Sequence, residues 1–382
     1  MDVTGESPRR ALQRSLFYRR PVSQSVVPAP ASTIPLPLLG KVLPPWPGED
    51  VPVSGGPVFV RYTPWRGPVD GPADGAPRER ALYVHGLGGA SSNWTDLAAL
   101  LSVRCDGWAL DLPGFGRSQP PPRGSYSVRG HVRVVADVLE EIARRPGEAA
   151  GKPVHLLGNS LGGLVSVLVA AKRPDLVASL TLISPAMPVY RVPPAFSRAL
   201  LLLLVPGIPA LAERRLAGIP PEDAVRGVIR MCFGDPSRVP PERLEQAVEE
   251  MRERSGQPWA DRALALTMRG LILSYLRLGR SGAWRAAAAL RPPTLVIWGD
   301  RDRLVDPRLA PRLAGTVPDS RLLVLEGIGH VAMLEAPETT ARAVLGMVEE
   351  ADRRDVGGGS SARARAASVG SGETTLRGIL RK

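Results

Sequence analysis

The sequence has few of the residues that build disulfide-rich or zinc-binding proteins. Its 382 residues include only two cysteines and four histidines. Cys105 and Cys232 stand far apart and form no C-x-x-C pair, which excludes a disulfide scaffold and a zinc module. We therefore expect no metal ion and a reducing, cytoplasmic compartment.

Long apolar runs are missing as well. The most apolar run, residues 200–205, ends at Pro206, far short of the roughly 18 residues that a membrane span requires. Arg19 and Arg20 resemble the start of a twin-arginine export signal, but prolines interrupt the segment that follows them. Integral membrane insertion is excluded, and export is not expected.

Lysine is scarce, so almost all of the positive charge is arginine. Only four of the 49 basic residues are lysines, and the formal net charge is +12. A basic protein can bind nucleic acid, but these arginines are scattered through the chain and form no strip interleaved with aromatic residues. We expect no nucleic-acid partner.

Both ends of the chain lack a periodic apolar pattern. Residues 1–47 are rich in proline, serine and arginine and are interpreted as a mostly disordered arm. Leu36, Leu38 and Leu39 leave open whether the end of this arm packs on the folded domain. Residues 351–382 are interpreted as a basic tail, rich in glycine, serine and alanine, that is also disordered.

Between the ends, short apolar runs alternate with amphipathic stretches. This pattern is typical of an α/β protein with a mostly parallel central sheet covered by helices. Strands are predicted at residues 51–53, 58–62, 81–84, 108–110, 154–157, 179–183, 294–298 and 321–325. Helices are predicted at residues 94–101, 128–144, 161–172, 307–314 and 337–350.

One long stretch interrupts the alternation. Residues 186–290 show only helical patterns, punctuated by prolines, and contain no good strand candidate. The sequence therefore predicts a helical cap inserted between two segments of an α/β core, residues 48–185 and 291–350.

A serine lies where a buried strand turns directly into a buried helix, within the segment VHLLGNSLGG at residues 154–163. At such a turn Ser160 must adopt a strained backbone conformation, and crowding permits only small residues two positions on either side. Gly158 and Gly162 meet that requirement. The helix also points free N–H groups at the place where negative charge would develop. The alternative is a glycine-rich turn with an incidental serine.

A serine nucleophile requires a base and an orienting carboxylate. His330 lies on a glycine-flanked loop after a late strand, whereas His85, His131 and His155 are interpreted as packing residues. For the carboxylate we favour Asp302, which follows the strand at residues 294–298. Asp300 is an alternative, and Asp306 is a weaker third candidate.

Five motifs together resemble those of the α/β-hydrolase family over about residues 49–350. They are YVHGLGG at residues 83–89, DLPGFGRS at 111–118, GNSLGG at 158–163, WGDRD at 298–302 and Gly329-His330. The resemblance implies a catalytic triad of Ser160, Asp302 and His330, and an oxyanion hole formed by the backbone N–H groups of Leu87 and Leu161. It also implies that His85 orients the oxyanion loop and that residues 186–290 form the family's cap.

The residue type at the predicted nucleophile position limits the reactions that are expected. Family members that attack sp³ carbon use aspartate at this position, so Ser160 favours acyl transfer. We predict a carboxylic ester hydrolase without metal or organic cofactor that acts through an acyl-enzyme on a small-to-medium apolar acyl or aryl ester. Substrate contacts are expected from Gly86, Gly88, Trp94, Phe196 and Leu200.

Several alternatives stay open at this point. The same triad can cleave carbon–carbon bonds in ring-fission products or hydrolyse lactones or amides, and a receptor-like protein could keep the pocket with little turnover. The leucine run at residues 200–205 either packs the cap onto the core or, if exposed, contacts lipid peripherally. The sequence predicts no oligomeric state.

Overall fold

The computed structural model describes residues 27–40, 42–68, 78–121, 125–189, 218–276 and 282–354. Its central feature is an eight-stranded sheet with the order β1-β2-β4-β3-β5-β6-β7-β8. The strands are β1 (Gly48–Val51), β2 (Val58–Thr63), β3 (Glu79–Val84), β4 (Cys105–Leu110), β5 (Val154–Asn159), β6 (Val177–Ile183), β7 (Thr294–Gly299) and β8 (Ser320–Leu325).

The sheet is mostly parallel. Strand β2 pairs antiparallel with β1 and β4, and the other neighbouring strands are parallel. Strands β3, β5 and β7 are buried along their whole length because helices cover both faces of the sheet. The predicted strands are confirmed, with ends that shift by a few residues.

Six helices flank the sheet. They are α1 (Thr95–Leu101), α2 (Val128–Arg144), α3 (Leu161–Lys172), α8 (Leu309–Thr316), α9 (Ala332–Glu335) and α10 (residues 337–354). Alternate residues of β3 enter opposite apolar layers, as the period of a strand requires. Leu82 and Val84 belong to the same apolar layer as α2, α3 and α8, whereas Ala81 and Tyr83 belong to the layer that contains α1 and α10.

Four further helices lie in the region predicted as the cap. They are α4 (Pro221–Cys232), α5 (Pro241–Ser255), α6 (Ala260–Tyr275) and α7 (Ala283–Ala288). Prolines begin α4 and α5, where a missing backbone N–H costs nothing. Within residues 218–276 and 282–290 the structure contains helices and no strand.

The described part of the arm lies against the core. The backbone of residues 27–29 pairs with Leu322 on β8 through Ala29 N–H to Leu322 O (3.1 Å) and Leu322 N–H to Val27 O (2.9 Å). Further along, the Ser32 hydroxyl donates to Glu349 on α10. Leu36 and Leu39 pack against the apolar core, whereas Leu38 is 96% exposed.

Helix α10 extends four residues into the segment predicted as the tail. Ala351 is buried, and Arg104 forms an ion pair with Asp352. These contacts explain the longer helix, which a local pattern could not predict because Arg104 is distant in sequence. Among the described residues no helix is both long and apolar enough to span a membrane.

Truncation tests whether the arm stabilises the fold. Deleting residues 1–40 should lower the free energy of unfolding by roughly 2–4 kcal/mol, because it removes the partly buried side chains Ile34, Leu36 and Leu39. Urea denaturation followed by circular dichroism measures the change. Deleting only residues 1–26 keeps all of these side chains and serves as the control. Equal stability of the two truncated proteins would contradict a stabilising role.

Candidate active site

Ser160 lies at the junction between β5 and α3 in a strained backbone conformation. Its φ of 52° and ψ of −116° are uncommon for any residue except glycine. Its backbone N–H donates to Ile183 O (3.1 Å), and its carbonyl oxygen accepts from Leu164 (3.0 Å) and Ala186 (2.8 Å). These three bonds fix the turn, and the side chain stays partly exposed.

Two glycines let this turn form. A Cβ atom on Gly158 would lie 2.6 Å from the carbonyl oxygen of Gly162. A Cβ atom on Gly162 would lie 2.8 Å from the carbonyl carbon of Val84, at the end of β3. The start of α3 therefore packs directly on the backbone of β3, which explains the small residues on both sides of Ser160.

The loop that follows β3 lies next to Ser160. A Cβ atom on Gly86 would lie 3.0 Å from Cβ of Ser160. The His85 ring holds the loop, since its Nε2 accepts the Leu112 N–H (3.0 Å) and its Nδ1 therefore donates to Gly86 O (2.7 Å). Burial lowers the pKa of His85, which keeps the ring neutral. This geometry fits the predicted orienting role.

Of the two predicted oxyanion donors, Leu161 follows the serine in sequence and Leu87 lies on the loop that approaches it. Leu161 is the first residue of α3 and is fully buried. The first N–H groups of a helix have no partner within the helix and carry partial positive charge. Leu87 directly follows Gly86, so its backbone belongs to the loop that contacts Ser160.

His330 and Asp302 meet at the ends of two other segments. The Nδ1 atom of His330 lies 2.8 Å from Oδ2 of Asp302, and the two side chains are 4% and 0% exposed. The other carboxylate oxygen of Asp302 accepts backbone N–H groups from Leu304 (2.9 Å) and Val305 (3.0 Å). The carboxylate is thus held in place beside Nδ1 of His330.

Asn159 connects the histidine loop to the serine turn. Its side-chain amide donates to the carbonyl oxygens of Ile183 (3.1 Å) and His330 (3.0 Å). The cap contributes too, because the carbonyl oxygen of Cys232 in α4 accepts the His330 N–H (2.6 Å). Sequence reasoning missed both contacts. The position of Asn159 directly before Ser160 was the only available signal.

The other acid candidates do not contact the histidine. Asp300 accepts the Gly327 N–H (2.7 Å) and so holds the turn that precedes His330. Asp306 pairs with Arg308. The structure thus brings Asp302, and neither alternative, to His330.

The other two histidines are core residues. Burial lowers the pKa of both His131 and His155 to about 4, so both are neutral near pH 7. His155 also lies near Glu79 and Asp352 in a group that could offer ligands to a metal ion. Arg104 already pairs with Asp352 there, and its positive charge opposes a cation. Glu79 begins β3, so this group lies at the opposite edge of the sheet from the loop after β3.

The residues predicted to contact substrate lie in different places in the structure. Gly86 and Gly88 lie in the loop next to Ser160, and Leu264 of the cap helix α6 approaches Gly88. Trp94 is fully buried and stacks on Tyr83, with 5.5 Å between ring centroids. It therefore packs in the core and has no free surface for a substrate. Phe196 and Leu200 lie outside the described residues.

Comparison with known proteins gives consistent matches. A family model described as the alpha/beta hydrolase fold matches residues 82–337. The monoacylglycerol lipase abhd6-B of Xenopus laevis is 26% identical over 263 residues, which cover 68% of this chain and 72% of that protein. Lipase 1 of Psychrobacter immobilis is 27% identical over 271 residues, covering 69% of this chain and 74% of the lipase.

A solved structure supports the same fold. The crystal structure of a membrane phospholipase A, described as a bacterial virulence factor, superposes with a TM-score of 0.61 and 26% sequence identity. The match covers 80% of this chain and 86% of that one.

The packing of the serine turn can be tested through stability. Gly162→Ala should lower the free energy of unfolding by about 1–3 kcal/mol, because the new methyl group would overlap the backbone of Val84. Gly227→Ala in α4 is the matched control, since nothing lies within 4 Å of its Cβ position. That change should stabilise the protein by up to about 1 kcal/mol. Urea denaturation compares the two, and a neutral Gly162→Ala would contradict the tight contact.

Proposed function

Because the chain belongs to the α/β-hydrolase family, we propose that it is a serine hydrolase that cleaves carboxylic esters through an acyl-enzyme. The observation that carries the proposal is the strained turn at Ser160, linked through Asn159 to a histidine that bonds a buried aspartate. Relatives named as lipases support ester chemistry.

In the proposed mechanism the Ser160 hydroxyl attacks the ester carbonyl carbon. Nε2 of His330 takes the serine proton and then gives it to the leaving alcohol. Asp302 fixes the Nδ1–H tautomer and stabilises the imidazolium. Water, activated by His330, then hydrolyses the acyl-enzyme and restores Ser160. No metal or organic cofactor takes part.

The backbone N–H groups of Leu87 and Leu161 stabilise the negative oxygen of the tetrahedral intermediate. Each such donor typically lowers the barrier by about 3 kcal/mol. Their position depends on two close contacts, that of Gly86 with Ser160 and that of Gly162 with the end of β3. The oxyanion hole is thus formed before substrate arrives, which is what this kind of stabilisation requires.

The proposed substrate is an ester with an apolar acyl or aryl group. Cap helix α6 supports this choice, because Leu264 faces Gly88 and Ala263 faces Gly114 of the DLPGFGRS motif. Cys105 and Cys232 are both free thiols, which supports retaining a reducing, cytoplasmic location in the proposal.

Active-site labelling tests the nucleophile. A fluorophosphonate probe should label the protein once, and Ser160→Ala should abolish labelling and lower kcat on p-nitrophenyl esters by on the order of a millionfold. Ser166→Ala is the matched control in the same helix. Its hydroxyl is buried without a partner, so its loss should leave labelling unchanged.

Two outcomes of this experiment would contradict the proposal. An unlabelled native protein would favour a receptor-like role. A labelled protein that turns over a ring-fission dienone but none of a series of p-nitrophenyl esters of increasing chain length would favour carbon–carbon cleavage.

Paired substitutions test the acid. Asp302→Asn should lower kcat by roughly ten-thousandfold, because an amide opposite Nδ1 favours the wrong tautomer of His330. Asp300→Asn should have little effect, since its amide oxygen can still accept the Gly327 N–H. Steady-state kinetics on one p-nitrophenyl ester compares them. If Asp300→Asn were the damaging change, our choice of Asp302 would be wrong.

A further inference from the structure

A cavity of about 910 Å³ lies between the cap, the arm and the oxyanion loop. Its lining includes residues of helices α4 and α5, Leu39 and Val42 of the arm, and Gly88 and Gly89 of the loop after β3. Its volume is at the upper end of the range of small-molecule sites. Neither Ser160 nor His330 lines it.

The cavity is lined by both apolar and charged side chains. The apolar lining comes from the arm, α4, α5 and the residue after α4, namely Leu39, Val225, Val228, Ile229, Phe233 and Met251. The arginines in the lining are Arg61, Arg117, Arg238, Arg243 and Arg254. This combination is suited to a molecule that is itself amphiphilic.

Arg254 is a partly buried cation that forms no ion pair with a carboxylate of the described residues, and Asp261 of α6 is the one carboxylate whose charge acts on it. Arg254 projects from α5 to the oxyanion loop, where its Nη1 donates a long hydrogen bond of 3.4 Å to Gly88 O. Burial lowers the pKa of its guanidinium, as desolvation does to any cation. Removing a charge from water without pairing it is costly, so an anionic ligand would relieve this cost.

Two further arginines of the lining also form no ion pair with a carboxylate of the described residues. Arg61 and Arg117 both lie over the ring of Phe59, at 5.3 and 4.7 Å from its centroid. Arg61 donates only to neutral oxygens, those of Ser91 and Trp46. Arg117 is exposed, and the charge of Arg61 interacts at a distance with Asp111, Glu250 and Glu253. Arg254 is therefore the arginine in the lining best placed to bind an anion.

Carboxylates border the cavity as well, but they are engaged elsewhere or exposed. Asp96 pairs with Arg243, and Asp111 accepts the backbone N–H groups of Ser91 and Arg117. Glu250 accepts the Ser92 hydroxyl, and burial raises the pKa of its carboxyl group. Glu335 accepts three backbone N–H groups, and Glu242 and Glu253 are exposed.

We propose that this cavity binds an amphiphile with a single anionic head group, which contacts Arg254, and a hydrocarbon chain that packs against the apolar side chains of α4, α5 and the arm. A carboxylate and a phosphate monoester share this chemistry. The site is separate from Ser160, so the proposal does not rest on serine chemistry. It does place a ligand one residue from Leu87.

Binding to the full chain carrying Ser160→Ala tests the proposal without turnover. Isothermal titration calorimetry compares decanoate, decyl phosphate and 1-decanol, which share a chain and differ in head group. At least one of the two anions should bind about tenfold or more tightly than the alcohol, because a charged hydrogen bond to Arg254 adds to the same apolar contact. Which anion is preferred distinguishes a carboxylate site from a phosphate site.

Substitution of Arg254 locates the anion. Arg254→Met keeps the apolar stem and should remove the preference for the anion while leaving 1-decanol binding nearly unchanged. Arg254→Lys should retain part of the preference. The matched control is Arg252→Met on the same helix, because Arg252 is exposed and pairs with Glu222 and Glu249. It should bind all three probes as the parent does.

The neutral probe also reports whether the cavity survives in each variant. Equal binding of anions and alcohol by the parent protein would overturn the proposal. So would a preference for anions that persists in Arg254→Met, since the head group would then lie elsewhere. A loss of 1-decanol binding as large as the loss of anion binding in Arg254→Met would show that Arg254 only maintains the shape of the cavity, and would also overturn it.

Discussion

The architecture of the site depends on a steric constraint at one residue. Gly162 lies against the backbone of β3, so α3 starts closer to the sheet than any side chain would permit. That approach forces the reversal at Ser160 and brings Gly86, which follows β3, next to the serine. The proposed nucleophile and the proposed oxyanion loop are thus positioned by one contact between backbones. Tight packing of this kind transmits displacement, because interiors have little free volume.

Hydrogen bonds extend this constraint to segments that are distant in sequence. Asn159 holds the carbonyl oxygen of His330, and Cys232 in the cap holds its N–H. His85 joins the loop after β3 to the loop after β4 through Leu112. The proposed base His330, the loop after β3 and helix α4 therefore share one network with the serine turn, which suits a site that must be organised before substrate binds.

Much of the fold was predictable because its signals are local. Buried parallel strands appear as apolar runs, and Ser160, Asp302 and His330 each follow a strand, where parallel sheets gather functional residues. What sequence could not supply are contacts between distant segments, such as Cys232 with His330 or the arm with β8. Trp94 shows a second limit. Trp94 is predicted as a substrate contact, but the direction of its side chain places it in the core. Nothing local marks Arg254 as unpaired, since that depends on every neighbour in three dimensions.

Prolines lie beside both edge strands of the sheet. Strand β1 is four residues long and is flanked by Pro47 and Pro52, while β8 is covered by a segment that contains Pro28 and Pro30. Proline has no backbone hydrogen to offer an incoming strand, and open strand edges are where sheets recruit further chains. The segment laid on β8 thus leaves a border poor in donors, which disfavours growth of the sheet from one molecule to the next.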